Sequence, residues 1–539
     1  MCFKGEEGNR VWITKDLDLP EELLAAQQRR ELVVFAGAGV SIDDPSGMPS
    51  FPALIRQIAA EHGDDDSSAQ LDDEPDFYLG QVAEDGFPVH ARVAEILTPT
   101  TAANYNAYHV NLLRLFREPG DVRLVTTNHD PFFTSAAEVV FPNEVESFYA
   151  PALPPGDEFV GIAYLHGGVV REANRLVLTD SDFGRAYLIQ GWAATFLRSM
   201  YARFAVLFVG YRHGEPVLKY LARGLTSSVV RYAFDRDDAD TSEWSRLGIH
   251  VVAYPRLAAP DHYGALREGI VAWAERTQMG FVEHDARIRA LAQGAPPLDR
   301  ADSDYLKSTL REAATSSVFA TVANDPAWLI WARDVPQFAE LFAAGEVSPA
   351  ALELAQWFAQ SFVPAHSDEA ISSIQAMGGR LSSALWIACA WRIWTVEPRP
   401  HPDTLGFWVA HLLENNPPPD GLRYLEYILS KCRWPEDRST AVLLFAALTD
   451  PRPVIEPTFV ALAGGGGPTV SASVETAGDQ LILREVWERY FAPHLDVLAI
   501  ELEPILAAQL VRAHSIMRAT GQADDRWDPT SFLRYRIEE

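Results

Sequence analysis

The chain has 539 residues, of which 48% are hydrophobic and 22% charged. Those fractions are ordinary for folded chains, so a wholly disordered protein is excluded, and the length fits roughly three domains or two large ones. Lys and Arg total 45 against 74 Asp and Glu, a formal net charge of −29, which repels phosphate backbones and anionic membranes and argues against nucleic acid or a membrane as the main partner.

In the first half, short apolar runs alternate with helix-length stretches. Leu32–Ala36, Arg123–Thr127, Gly161–Leu165, Ala205–Val209, Val229–Phe234 and Ile249–Tyr254 read as strands. They are continuous rather than alternating runs, as strands covered on both faces are. The pattern predicts an α/β unit with a doubly wound, Rossmann-like parallel sheet. An acidic insertion is expected over about 57–91, which holds no Lys or Arg and carries ten acids between Glu61 and Asp85. It reads as a solvated loop or helix pair. The Asp spacing and turn glycine of a calcium loop are missing.

Near Gln293–Tyr305 the pattern breaks into Pro, Gly and Asp, which places a linker at 291–305. Beyond it, Leu329–Phe342, Ala350–Phe362, Ser383–Trp394, Thr404–Leu413, Leu422–Leu429, Thr440–Leu448 and Arg484–Met517 read as helices. An all-α domain is expected over 306–539. Ten of the fourteen tryptophans lie after residue 320, and from residue 301 onward 18 basic residues face 31 acidic ones. Stacking on bases needs basic neighbours, so these rings read as core or protein-interface residues. Gly464–Gly467 lacks a following Lys-Ser/Thr and reads as a loop. The ending Asp528–Glu539 begins what looks like another element and stops.

The three cysteines, Cys2, Cys389 and Cys432, form no CxxC, so neither a disulfide framework nor a Cys-based zinc site is expected. The first ten residues have no apolar core, and no run of ~18 apolar residues occurs. A cytoplasmic setting is the expectation.

The strongest chemical signal is Gly37-Ala38-Gly39-Val40-Ser41, directly after a strand. Glycine lets backbone approach a pyrophosphate, and a following helix N-terminus would supply N–H groups. Ile42 stands where the dehydrogenase fingerprint has its third glycine, which counts against hydride transfer. Ser46-Gly-Met-Pro-Ser-Phe51 follows. Thr126-Thr127-Asn128-His129-Asp130, Leu165-His166-Gly167 and Phe208-Val209-Gly210-Tyr211 each sit at the C-terminal end of a predicted strand. That is the edge where open α/β sheets hold ligands.

In this combination and order, over roughly residues 30–275, the chain resembles the sirtuin family, specifically the divergent bacterial sirtuin-like proteins associated with antiphage defence. The resemblance implies an NAD-binding domain over 1–290. It carries the catalytic pair onto Asn128 and His166, and NAD contacts onto Gly37, Ala38, Gly39, Val40, Ser41, Phe51, Thr127, Gly210 and Tyr211. Asp130 either orients Asn128, touches a ribose, or caps a helix. Taken alone, Asn128 also reads as an Asx-turn residue and His166 as a turn cap. His129 stands where the family often has an aromatic, and His109 reads as structural. Arg212 and Glu215 stand where relatives usually have Ser and Asp. Arg212 would pair with a phosphate and Glu215 would accept from a ribose hydroxyl.

The chemistry agrees with these assignments. The nicotinamide leaving group is already cationic and needs no general acid, so the site must position a ribose, order a nucleophile and accept its proton. An amide donates and accepts at once, and a histidine with an ordinary pKa near ~6.5 takes a proton near neutrality. The zinc module of protein-deacetylating sirtuins is absent, and Pro52 follows Phe51 where those enzymes place an Arg. The expected activity is therefore NAD hydrolysis, without zinc, serving antiphage defence by NAD depletion. Deacylation or ADP-ribosyl transfer, and a non-catalytic NAD or ADP-ribose sensor, are the alternatives. The helical half is expected to act as sensor or assembly region, through self-association or a protein partner such as a phage trigger.

Overall fold

A computed structural model describes residues 10–64, 74–101, 103–211, 229–258, 261–396, 399–415, 418, 421–458, 469–476 and 487–519. Arg212 and Glu215, Gly464–Gly467 and Asp528–Glu539 lie outside these residues, as does part of the acidic insertion. The chain separates into two compact units, Met1–Glu283 with Pro297–Tyr305, and His284–Pro296 with Leu306–Glu539.

The first unit opens with a two-stranded antiparallel ribbon of β1 (Arg10–Thr14) and β2 (Leu17–Pro20). Its centre is built from β3 (Leu32–Ala36), β4 (Arg123–Thr126), β5 (Ser147–Tyr149), β6 (Gly161–Tyr164), β7 (Ala205–Val209), β8 (Arg231–Arg236) and β9 (His250–Tyr254). Among the described residues these seven form one sheet in the order β5-β6-β4-β3-β7-β8-β9. Every neighbouring pair is parallel. The order runs outward from β3 on one side and returns on its other side at β7. A ligand crevice belongs at that reversal, outside the strand ends.

Burial explains the strand pattern. All five residues of β3 and of β7 are buried. Val34 and Leu207 pack into one face, and Val33, Phe35 and Phe208 into the other. The described part of the acidic segment is helical, over Phe51–His62, Pro75–Glu84 and Val89–Leu97. Its apolar residues form a third cluster around Leu54, Ile58, Leu79 and Val93, and among its described acids Glu61, Asp64, Glu74, Glu84 and Asp85 are exposed. Ser50 caps the first of these helices and Gly63, at φ 97°, ends it.

The C-terminal region is helix-rich. Helices Ala313–Val322, Pro349–Phe362, Ser383–Thr395 and Gly421–Lys431 pack in succession. The expected helix at 329–342 is instead a series of short turns, broken where Pro336 starts a new one. An antiparallel ribbon of β10 (Pro451–Thr458) and β11 (Thr469–Thr476) interrupts the helices, an element that the all-α expectation left out. Residues Arg300–Thr309 form a helix, which leaves 293–299 as the irregular stretch.

Four tryptophans of this region are fully buried: Trp328, Trp357, Trp386 and Trp408. Each indole N–H donates to a backbone carbonyl at or beside a helix C-terminus. The acceptors are Gly294 (2.6 Å), Ala323 (2.5 Å), Leu412 (2.8 Å) and Val363 (3.1 Å). Helix ends leave carbonyls without intrahelical partners, and here a large apolar ring brings the missing donor.

Glycine decides how the sheet's edge is built. Gly37 N–H donates to Val209 O and Gly39 N–H to Gly210 O, both at 2.9 Å, so the loops after β3 and β7 touch through backbone. A Cβ on Gly39 would stand 2.8 Å from Gly210 O and 2.9 Å from its Cα. We predict that Gly39→Ala lowers stability by ~1–3 kcal/mol, the usual cost of overpacking, because backbone has to move. A thermal melt of the variant that matches wild type would contradict this.

Candidate active site

The C-terminal ends of β6, β4, β3 and β7 are adjacent, and the sequence motifs follow them. The segment after β3 differs from expectation. Ala38–Ser41 is a single 3₁₀ turn, and the next α-helix starts only at Phe51. No α-helix N-terminus directly follows Gly37-Ala38-Gly39. The turn instead delivers Ser41, which is buried.

Ser41 is the centre of a buried polar cluster. Its hydroxyl donates to Asp130 Oδ2 at 3.0 Å. Asn128 Nδ2 donates to the Ser41 Oγ at 3.0 Å, and His109 Nε2 lies 3.1 Å from that hydroxyl oxygen. His109 is placed by the helix Ala107–Leu113, whose capping residue Asn106 also anchors the Ser41 turn by donating to Val40 O at 2.8 Å. The His109 ring lies edge-on to Phe132 and Phe133.

Asn128 and Asp130 owe their position to the end of β4. Thr126 Oγ1 donates to Ala36 O at 2.9 Å and accepts from Asn128 N–H at 3.0 Å, which ties the loop to the neighbouring strand. Asp130 Oδ1 accepts from Phe132 N–H at 3.2 Å, so it both caps the following turn and fixes Ser41. Thr127 Oγ1 lies 2.7 Å from the Tyr211 hydroxyl, which also reaches Ala36 O at 3.3 Å. The Tyr211 ring sits edge-on to Phe35 and Phe208.

A cleft opens over this cluster. Ala38, Ser41, Phe51, Thr127, Asn128, Asp130 and His166 line it, with His129, Met48, Pro49, Leu54, Leu97, Val177 and Phe183. Seven residues singled out in the sequence thus meet in one place. Five others do not line it. Val40 and Tyr211 are buried in the two sheet cores. Gly37, Gly39 and Gly210 join the loops beneath. Met48 and Pro49 belong to the motif Ser46–Phe51 read in the sequence, whereas Leu97, Val177 and Phe183 escaped it, because they come from the end of one helix and from the segment 177–183. Nothing in their local pattern sets them apart from core residues.

Burial sets the protonation states. His166 is 4% exposed, and desolvation, helped by neighbouring His129, lowers its pKa to about 3. This corrects the expectation of an ordinary histidine titrating near neutrality. Desolvation brings His129 to about 4 and His109 to about 3. Asp130 moves the other way. Desolvation raises it to about 6, against the hydrogen bonds from Phe132 and Ser41. Of these groups, Asp130 is the one poised closest to neutrality. Strongly displaced groups in a cleft are a mark of functional sites.

Among the described residues no three His, Cys, Asp or Glu side chains gather as a metal site. No described helix is long and apolar enough to cross a membrane.

Residues 122–251 match the family model of the SIR2-like domain. The chain therefore carries such a domain, and the matched span holds Asn128, Asp130, His166 and Tyr211 but not Gly37–Ser41. Over 382 residues the chain is 27% identical to an uncharacterized protein, y4cA, of Sinorhizobium fredii. The match takes in 64% of this chain and 30% of that relative, so the chain spans less than a third of the relative's length.

The histidines predict an acid-sensitive fold. Their folded pKa values, about 3, 4 and 3, lie below the ordinary 6.5. Their contribution is present above pH ~6.5 and is lost as pH falls toward the folded values, because the unfolded chain binds protons the native state refuses. Asp130 acts oppositely. Its folded value, about 6, lies above 3.8, so its contribution is lost as pH rises through about 6. Three groups outweigh one. The melting temperature should fall from pH 7 to pH 5, and His129→Gln should shrink the difference. A pH-independent melt would contradict the assignment.

Proposed function

We propose that the chain hydrolyses NAD to ADP-ribose and nicotinamide in this cleft. The observation that carries the reading is the buried Ser41–Asn128–Asp130 cluster on the floor of an apolar-walled cleft, at the strand ends of a SIR2-like sheet. A SIR2-like domain is consistent with NAD use, and this cleft has the chemistry for the reactive half of that substrate. Met48, Phe51, Leu54 and Phe183 offer a flat amide-bearing ring an apolar slot. Asn128, Thr127 and Asp130 offer ribose hydroxyls donors and acceptors.

The step is a displacement at the ribose C1′. The C1′–N bond breaks and its electron pair stays on the nicotinamide nitrogen, so a cationic ring leaves neutral. Positive charge gathers on the ribose, and a carboxylate at Asp130 stabilises it. A water oxygen forms the new bond to C1′ and gives up a proton, which Asp130 accepts and passes to solvent. Asn128, held by Ser41, orients the water and a ribose hydroxyl together. His166, which also lines the cleft, is the second proton acceptor of this reading.

The same reading places this activity in bacterial antiphage defence, as NAD depletion of an infected, growth-arrested cell. The helical region would restrain it until self-association or a protein partner, such as a phage component, releases it. The resemblance of the motifs to defence-associated sirtuin-like proteins supports this setting.

Asn128→Ala should reduce NAD cleavage by activated protein by ~10²-fold or more, the scale of losing a positioned acid–base group. The wild-type rate should fall as pH drops below about 6, the Asp130 value, and this limb should vanish in Asp130→Asn. Intact NAD, measured in purified protein and in cells with and without phage, is the readout. NAD that survives activated protein, or an Asn128→Ala variant as active as wild type, overturns the proposal.

A further inference from the structure

His166 has a partner that the proposed reaction does not use. Its Nε2 lies 2.9 Å from the hydroxyl of Tyr187. The ring is closed in edge-on by Phe183, centroids 5.2 Å apart, and by Tyr187 at 6.1 Å. Phe183 and Tyr187 stack on each other at 6.0 Å and 17°. Both come from one stretch of chain, so a single segment covers the histidine.

That contact takes Nε2 out of proton transfer whichever tautomer is present. If Tyr187 donates, the Nε2 lone pair is already occupied. If Nε2 donates, it has no lone pair to offer. Burial pushes the Tyr187 phenol far above its ordinary value, so the hydroxyl keeps its proton and stays a full partner.

The segment is anchored at its start and irregular beyond it. Thr179 and Asp182 form a reciprocal cap, and Asp182 Oδ2 lies 2.8 Å from His90 Nε2. Burial raises the Asp182 carboxyl, but the bonds from His90 and Thr179 prevail and hold it down at about 2. The helix Asp180–Gly184 then widens into a π-helical turn, Arg185–Ile189. Such turns are rare and recur at functional sites. The turn ends at Gly191, whose φ of 65° breaks the chain direction before helix Trp192–Arg203. Between pivot and break, Ala186 and Tyr187 point inward, while Leu188 and Ile189 are 76% and 84% exposed. The outer face of the turn is already in water, so an outward swing exposes mainly its inner face, Ala186 and Tyr187.

We propose that Tyr187 is a gate on His166: the turn Arg185–Ile189 seats its hydroxyl on Nε2 in a resting state, and catalysis requires the turn to swing out between the Thr179–Asp182 cap and Gly191. The gate deepens the NAD-hydrolase reading and rests on it for the reaction it restrains. Tyr187 touches His166 rather than the reacting atoms, so it is a positioning residue with an inhibitory sense. Removing its hydroxyl should raise activity, where removing a structural support would lower it.

The test uses the full chain with no added trigger, as wild type, Tyr187→Phe and Tyr187→Ala, with two readouts. Carbethoxylation of His166 by diethyl pyrocarbonate, followed by peptide mass spectrometry, reports whether the imidazole is free. NAD turnover reports the reaction. The gate predicts that His166 reacts several-fold faster in both variants, and that Tyr187→Phe raises basal NAD cleavage several-fold. Adding His166→Ala to Tyr187→Phe should return cleavage to background. Unchanged labelling of His166 in both variants overturns the gate, as does a Tyr187→Phe variant with lower kcat and unaltered KM. Faster labelling with NAD left intact by activated protein as well keeps the gate and overturns the NAD-hydrolase reading instead. Tyr187→Phe retains the ring and its stacking on Phe183, so the test stands even where Tyr187→Ala melts early.

Discussion

The site depends on a contact that contains no side chain. Gly39 donates to the Gly210 carbonyl, and Gly37 to that of Val209, because the loops after β3 and β7 lie against each other with nothing between them. Gly210 has φ 74°, and a Cβ there would stand 2.8 Å from Val40 N. The approach lets the chain after β3 turn at once in a 3₁₀ coil. That turn, rather than a helix, carries Ser41 inward to meet Asn128 and Asp130 from β4. The glycines that invite comparison with a phosphate-binding loop are thus required first by the protein's own backbone. A phosphate contact would be an additional use of the same closeness.

Much of the sheet was legible in the sequence because both of its faces are covered. Continuous apolar runs such as Leu32–Ala36 and Ala205–Val209 then have one reading, buried parallel strands. What escaped was short or half-exposed. Ser147–Tyr149 is a three-residue edge strand whose residues are all half-buried, so it shows neither a run nor an alternation. The ribbon of β1 and β2 lies outside the sheet altogether. In the helical region, composition narrowed the tryptophans to core or interface. It does not reveal that four of them close helix ends, since the acceptors lie 26 to 45 residues away.

The candidate site was legible as a set of strand ends, not as a set of contacts. Asn128, Asp130 and His166 were visible because they fall in motifs that recur, in combination, at the ends of buried strands; taken alone each also reads as a turn or cap residue. His109 looked structural on its helix, and it does cap that helix, yet its other nitrogen reaches the Ser41 hydroxyl. Tyr187 had no signal at all. It lies 21 residues from His166 in a stretch that reads as ordinary helix, and only the π turn and the folded packing bring its hydroxyl to the imidazole.

One physical cause, the removal of water, drives the groups of this cleft in opposite directions. It disfavours charge, so it strips protons from His109, His129 and His166 and keeps one on Asp130 up to about pH 6. Below that value these four groups are mostly neutral, and at neutral pH the one charge among them is the Asp130 carboxylate beneath the apolar wall. A cation entering beside that carboxylate favours its ionised form, because attraction grows where water is scarce. A nicotinamide ring that carries positive charge until it leaves is such a cation. On the proposed reading, the substrate's own charge would hold the carboxylate ionised while it is bound, and the loss of that charge on hydrolysis would raise its pKa again, so that it takes up the water's proton.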